Sequence, residues 1–445
     1  MAKKVLVTFV VSLLMLTEAV LAAASLGGRS AEFHDAYRLQ KVVVLSRHNI
    51  RSPLSRGDSA LGRVTPHPWF SWTSAPSELS LKGGQLETIM GQYFCQWLTA
   101  ENLIPKNFVP KEGEVRFYAN SKQRTIATAR FFSAGMMPMA DIIIEHKYAP
   151  EGSDMVFSPR FSFMNDAYRA EILSEMSRIY EGQGMERKLA ASFQTLEKTL
   201  DLKDSPAAKE NGLKHFSPED MKINVEKGKQ PVIRGSSELA FSAAEALILQ
   251  YYEEPDKTKA GFGHKLTDRE WQNIGRIKDI YYDMLLTPPS VSVNVAHGLL
   301  QVMREELSME ERKFTFLCGH DTNLTSVLGA LGVEDYSLPQ AIESKTPIGA
   351  KFVIGTWKGK DGREYASLDL VYQSVDQLRN RTSLALDNPP MTYHLKLKDL
   401  RQTGEDLYLF SDVMQRLQRA LEAYNELPQT DAESASSAPK AVVNG

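Results

Sequence analysis

Short, unbroken apolar runs alternate with amphipathic stretches toward both ends of the chain, and its middle has almost none of the runs. Residues 38–45 end in Val42-Val43-Val44-Leu45, a continuous run without alternation, which is the pattern of a parallel strand buried on both faces. From Leu86 onward Ile89, Met90, Tyr93, Phe94 and Trp97 recur at helical spacing and predict an amphipathic helix of about 17 residues. The segment "EVRFYANS" (114–121) alternates like a strand and breaks at Asn120-Ser121. "QRTIATARFFSAG" then reads as a helix closing on Gly135, and "ADIIIEH" (140–146) as a further strand. This β-α-β-α-β rhythm predicts an α/β fold with a doubly wound core sheet.

Between about 150 and 305 the strand pattern nearly vanishes. Charged helical patterns occupy 167–182, 186–201, 236–252, 267–286 and 290–308. The expectation is a large, mainly α-helical domain (151–305) inserted into an α/β core made of 30–150 and 306–427. "KFTFLCGHD" (313–321) returns to the strand pattern, and Leu324, Val327, Leu328 and Leu331 mark a helix face with Gly332 as its stop. "GAKFVIGTW" and "YASLDLVYQS" predict two strands joined as a hairpin across "KGKDGRE", followed by a last helix over 404–424. The Ser/Ala/Pro-containing tail, 428–445, has little to bury and is expected to be disordered.

Composition narrows the setting. Lys3-Lys4, an apolar run from Val5 to Leu16 and the small residues of "AVLAAAS" read as a signal peptide over 1–24, too short an apolar run to span a bilayer. A formal charge of −3 gives no support to nucleic-acid binding. Two cysteines, Cys95 and Cys318, make no disulfide framework, and two buried free thiols are the expected state.

Two of the predicted strands end in a histidine, "VVVLSRH" at His48 and "FTFLCGH" at His320. A third runs into "KQRT", which puts Arg124 near the start of the next helix. Ligands of open α/β sheets bind beyond the carboxyl ends of the strands. If these three strands are neighbours, Arg47, Arg51, Arg124, His48 and His320 converge on one point, a cluster that repels itself and attracts a dianion. Each residue alone also has a plain structural reading: a strand-end histidine, a turn-capping arginine, a solvated helix arginine, and Asp321 as a first-turn acid. The adjacent His320-Asp321 pair also admits a metal site, which the flanking arginines disfavour.

At these positions the chain resembles a known family. "RHNIRSP" resembles the RHGxRxP signature of the histidine acid phosphatases, and "GHDTN" resembles their downstream HD element. The likeness continues through "LKGGQLETIMGQYF", "YANSKQRTIATARFF", "LILQYYEE", "TPIGAK" and "VYQSVDQLRN", across most of residues 40–385. Within that family it is greatest to the glucose-1-phosphatase branch, which similarly has asparagine where most members have glycine, here Asn49.

The resemblance implies phosphoryl transfer in two steps, with His48 as nucleophile. Arg47, Arg51, Arg124 and His320 would hold the phosphoryl oxygens. Asp321 would be the acid that protonates the departing alkoxide, which requires a carboxyl still protonated near the working pH. It further implies a sugar-contacting glutamate at Glu253, no cofactor and no metal. The partner would be a small phosphate monoester, with no nucleic acid and no membrane once the signal is cleaved, and the location the periplasm. Asn49 is expected to narrow the pocket beside the nucleophile. A phytase with a related pocket, or a phosphate-binding protein with a dead site, are the competing readings; intact His48 and Asp321 argue against the second.

Overall fold

The computed structural model describes residues 29–54, 59–148 and 154–427. The expected signal peptide (1–24) and tail (428–445) lie outside the described residues. The strands are β1 (Tyr37–Arg47), β2 (Val115–Ala119), β3 (Ile144–Glu145), β4 (Lys222–Asn224), β5 (Val232–Arg234), β6 (Phe314–Gly319), β7 (Lys351–Gly359), β8 (Glu364–Tyr372), β9 (Met391–His394) and β10 (Tyr408–Leu409). All but β4 and β5 form one mixed sheet, ordered β10-β8-β7-β1-β6-β2-β3, with β9 on β8. β1, β6, β2 and β3 run parallel, while β7 pairs antiparallel with β1 and with β8.

Both faces of β1 are covered, so its apolar run does not alternate. Val42 and Val44 pack with Met90, Phe94 and Trp97 of α1 (Leu81–Ala100) and Phe132 of α2 (Gln123–Met136). These two helices approach so closely that a Cβ on Gly91 would run into the Phe132 carbonyl, and one on Gly135 into that of Thr88. Gly135 is therefore a packing glycine inside the helix and not its stop. The 154–308 stretch holds α3 (Asp166–Gly182), α4 (Met185–Leu200), α5 (Ser236–Glu253) and α6 (Asp268–Leu286), packed about Ile172, Leu196, Leu247 and Trp271. Each lies within two residues of its predicted ends. The small β4–β5 hairpin also falls in this mainly helical stretch. The opposite face of β1, Val43 and Leu45, meets Leu300 of α7 (Pro289–Ser308), Leu324 of α8 (Asp321–Ala330) and Leu417 of α9 (Phe410–Glu426).

Three expectations need correction. Only Ile144 and Glu145 of "ADIIIEH" pair as a strand, because β3 is the sheet edge with β2 as its one neighbour, and Ile143 is left exposed. The last helix starts at Phe410 and not near 404, since Thr403 bonds the Leu407 carbonyl and Tyr408-Leu409 pair with β8. Cys318 is buried, but Cys95 is only half-buried; both are free thiols. Among the described residues no helix is long and apolar enough to cross a membrane.

Candidate active site

The sheet order brings the two strand-end histidines together. β6 lies between β1 and β2, with Arg47 level with Gly319 and Ala119 level with Cys318. His48 and His320, one residue beyond, have ring centroids 5.4 Å apart in an edge-to-face arrangement. α2 follows β2 directly and carries Arg124 in its first turn. His48, Arg51, Arg124, His320 and Asp321 line one cavity of ≈ 290 Å³ at the carboxyl ends of the parallel strands.

The nucleophile candidate has a defined tautomer. His48 Nδ1 lies 2.8 Å from the carbonyl of Asn49, which can only accept, so Nδ1 carries the proton and Nε2 its lone pair. Burial first, then the charges of Arg124, Arg51, His320 and Arg47, hold its pKa well below the usual histidine value. Asn49 itself turns away from the cavity: its Nδ2 donates to Glu87 Oε1 at 2.7 Å and its Oδ1 accepts from the Ile50 N–H at 2.8 Å. Glu87 is in turn paired with Lys351 at 3.0 Å, both fully buried. The expectation that Asn49 narrows the pocket is thus corrected. Its side chain anchors the backbone that fixes the His48 ring. His320 is set in the same tautomer. The Asn120 Oδ1 accepts from the Asp154 N–H at 3.0 Å, which leaves its Nδ2 to donate to His320 Nε2 at 2.7 Å. Burial and Arg124 hold His320 neutral as well.

Three buried guanidinium groups surround this pair, and each has an unpartnered Nε. Arg51 donates from Nη2 to Glu245 at 2.7 Å. Burial and the like charge of Arg51 push Arg124 down to about 10. Buried donors without acceptors are costly, and the two that border the cavity, on Arg51 and Arg124, suit a multiply charged oxyanion. Arg47 is placed differently. It stands behind the cavity with Nη1 on Glu343 (2.7 Å) and the Thr346 carbonyl (2.6 Å), and Nη2 on Asp321 at 3.2 Å.

Asp321 opens α8. Its Oδ1 accepts from the Thr322 N–H at 2.9 Å, and its Oδ2 meets Lys278 of α6 at 2.7 Å. Burial alone would raise this carboxyl, but Lys278 and Arg47 outweigh it and hold it well below the ordinary range. The expectation of a resting protonated acid is therefore corrected: the carboxyl is ionised before substrate enters.

Glu253 is not at the cavity. It accepts from Ser80 Oγ at 2.8 Å beside Lys82, at the far end of α5. Glu245 lines the cavity instead. The two stand eight residues apart on one helix, about 12 Å along its axis, so one cavity cannot use both. Lys278, Glu343 and Glu245 are site residues that sequence reading missed; none carries a motif, Lys278 and Glu245 lying within helices and Glu343 in the loop before β7. Among the described residues no group of three or more His, Cys, Asp or Glu side chains is placed to hold a metal ion.

Residues 38–209 match the histidine phosphatase superfamily (branch 2). A glucose-1-phosphatase of Salmonella typhimurium is 34% identical over 402 residues, 89% of this chain and 94% of its own length. One from Providencia rettgeri is 33% identical over 390 residues, 86% of this chain and 92% of its own. Among solved structures the apo phytase of Hafnia alvei superposes with a TM-score of 0.78 at 24% identity, covering 87% of this chain and 98% of that one, a likeness of fold. With that degree of identity over nearly the whole chain, the protein belongs to branch 2 of the histidine phosphatase superfamily and is a phosphatase.

Proposed function

We propose that the protein is an exported acid phosphomonoesterase that hydrolyses sugar monophosphates such as glucose 1-phosphate through a phosphohistidine. The observation that carries this is a buried, neutral imidazole with Nε2 unprotonated, in a cavity bordered by arginine donors that lack acceptors. Nε2 attacks phosphorus and the bond to the leaving oxygen breaks, while Arg51, Arg124 and His320 hold the phosphoryl oxygens and Arg47 supports them from behind. In mild acid a phosphate monoester is a monoanion that still carries one proton. That proton passes to Asp321 and from there to the departing oxygen, which reconciles an ionised resting carboxylate with the acid role. In the second step water attacks phosphorus and the bond to His48 Nε2 breaks; Asp321 takes the water's proton and passes it to the inorganic phosphate, which leaves with the carboxylate ionised again.

The size and rim of the cavity support a monophosphate. At ≈ 290 Å³ it is at the small end of ligand pockets, which span about 300–1,000 Å³. Glu245 places a carboxylate on its wall, favourable toward sugar hydroxyls and unfavourable toward a second phosphate. Lys122 and Arg160 also line the cavity and favour the phytase reading. The wall carboxylate and the volume outweigh them. The basic-apolar-small pattern of residues 1–24 supports action in the periplasm.

The test is phosphate release from glucose 1-phosphate and from p-nitrophenyl phosphate at mildly acid pH in chelator, with acid-labile labelling of the enzyme. Turnover by the native chain, its loss in a folded His48→Ala variant and a labelled histidine are expected. Undiminished turnover by His48→Ala would overturn the mechanism.

A further inference from the structure

Lys278 is 1% exposed and lies on the inward face of α6, outside every motif quoted above. An ammonium so deeply buried is tolerated only where it is paired. Its Nζ lies 2.7 Å from Asp321 Oδ2 and 2.6 Å from Glu343 Oε1, and Arg47 contacts the same two carboxylates at 3.2 and 2.7 Å. Two cations and two carboxylates thus close a ring with no net charge. Within it Arg47 is committed chiefly to Glu343, and the shorter contact to Asp321 comes from Lys278. Since Asp321 Oδ1 is tied to the adjacent Thr322 N–H, the free choice in its carboxylate orientation is settled by what binds Oδ2.

We propose that Lys278 is a positioning residue for the leaving-group step: by gripping Asp321 Oδ2 it aims the carboxylate that passes the substrate's proton to the departing oxygen of esters of weakly acidic alcohols. This rests on the reading of Asp321 as proton donor. The charged and titratable groups facing Asp321 are Lys278 and Tyr282 of α6, Arg47 and His48 at the end of β1, and Arg124 of α2. Glu343 lies beyond the two cations, and His320 precedes Asp321 in the chain. Lys278 is the nearest cation to Oδ2. An opposite charge this close favours the ionised carboxyl, so Lys278 both orients Asp321 and keeps it free to accept the substrate's proton.

The experiment compares kcat/KM against pH for glucose 1-phosphate and p-nitrophenyl phosphate in the full chain, in Lys278→Met, in Lys278→Arg and in Lys278→Met/Glu343→Gln. The double variant removes one charge of each sign and keeps the site neutral should the single one fail to fold. The expected result is a fall in kcat/KM of about 10²-fold for glucose 1-phosphate in the methionine variants across the whole pH range. Little loss is expected for p-nitrophenyl phosphate, whose leaving group needs little protonation, and Lys278→Arg should restore most of the native rate. An unchanged kcat/KM for glucose 1-phosphate, or the same loss on both substrates, overturns the proposal. Asp321→Asn separates the two levels. Equal losses on both substrates there sink the donor reading and Lys278 with it, whereas a selective loss on glucose 1-phosphate there with undiminished turnover by Lys278→Met sinks the Lys278 proposal alone.

Discussion

Glu245→Gln tests the proposed substrate class directly. The carboxylate of Glu245 is 2.7 Å from Arg51 Nη2, and its side chain is 12% exposed. Glu245 lines the same cavity as His48, so a second phosphate admitted beside the reacting one sits on the order of 8 Å from the carboxylate. Unit charges ~8 Å apart repel by about 2 kcal/mol at an effective dielectric of about 20. Glutamine keeps the shape and the Oε1 acceptor for Arg51 while removing the charge. The ratio of kcat/KM for phytate to kcat/KM for glucose 1-phosphate should therefore rise about 30-fold. Inorganic phosphate should also inhibit more strongly, because Arg51 is no longer neutralised. Initial rates of phosphate release on each substrate, at one pH and one ionic strength, give the ratio. A change of less than about threefold, or a fall, would refute the argument that wall charge selects monophosphates.

Two further outcomes follow from the same geometry. Arg124→Ala removes a buried charged donor with an unpartnered Nε, worth about 1.5–3 kcal/mol, so kcat/KM should drop about 10- to 150-fold on both substrates alike; a loss confined to one substrate would contradict a role on the phosphoryl group itself. His48 and His320 are both held below the unfolded histidine value of about 6.5, so the unfolded chain takes up protons that the folded one refuses as pH falls below that value. Each then costs about 1.4 kcal/mol of stability per pH unit until its folded pKa is reached. Urea unfolding of His48→Ala across pH 4–7 should show an acid slope shallower by about that amount, and an equally steep slope would show that His48 is not buried neutral.

Much of the architecture was readable in advance because it depends on local periodicity. β1 and β6 lie between covered faces, so Val42–Leu45 and Phe316–Cys318 run apolar without alternation and the polar residues that follow them stand out. α3 to α6 showed their 3.6-residue pattern clearly enough to be bounded within two residues. Where the local pattern misled, a neighbour distant in sequence was responsible. Gly135 looks like a stop but is the contact between α1 and α2, and "ADIIIEH" is apolar enough for a strand but has only one neighbour to pair with.

For the site, residue identity was legible and charge state was not. His48, His320, Arg51, Arg124 and Asp321 stand at the ends of recognisable elements, and their order along the chain already singled them out. Which glutamate lines the cavity depends on depth along α5, and both Glu245 and Glu253 satisfy the helical pattern there. Whether Asn49 enters the pocket depends on Glu87, 38 residues away. Whether Asp321 rests ionised depends on Lys278 and Arg47, which reach it from α6 and β1. Spacing in a sequence reports which face of an element a residue occupies. Proton affinity follows from burial and from distances to other charges, and those exist only once the sheet has brought β1, β6 and α6 side by side.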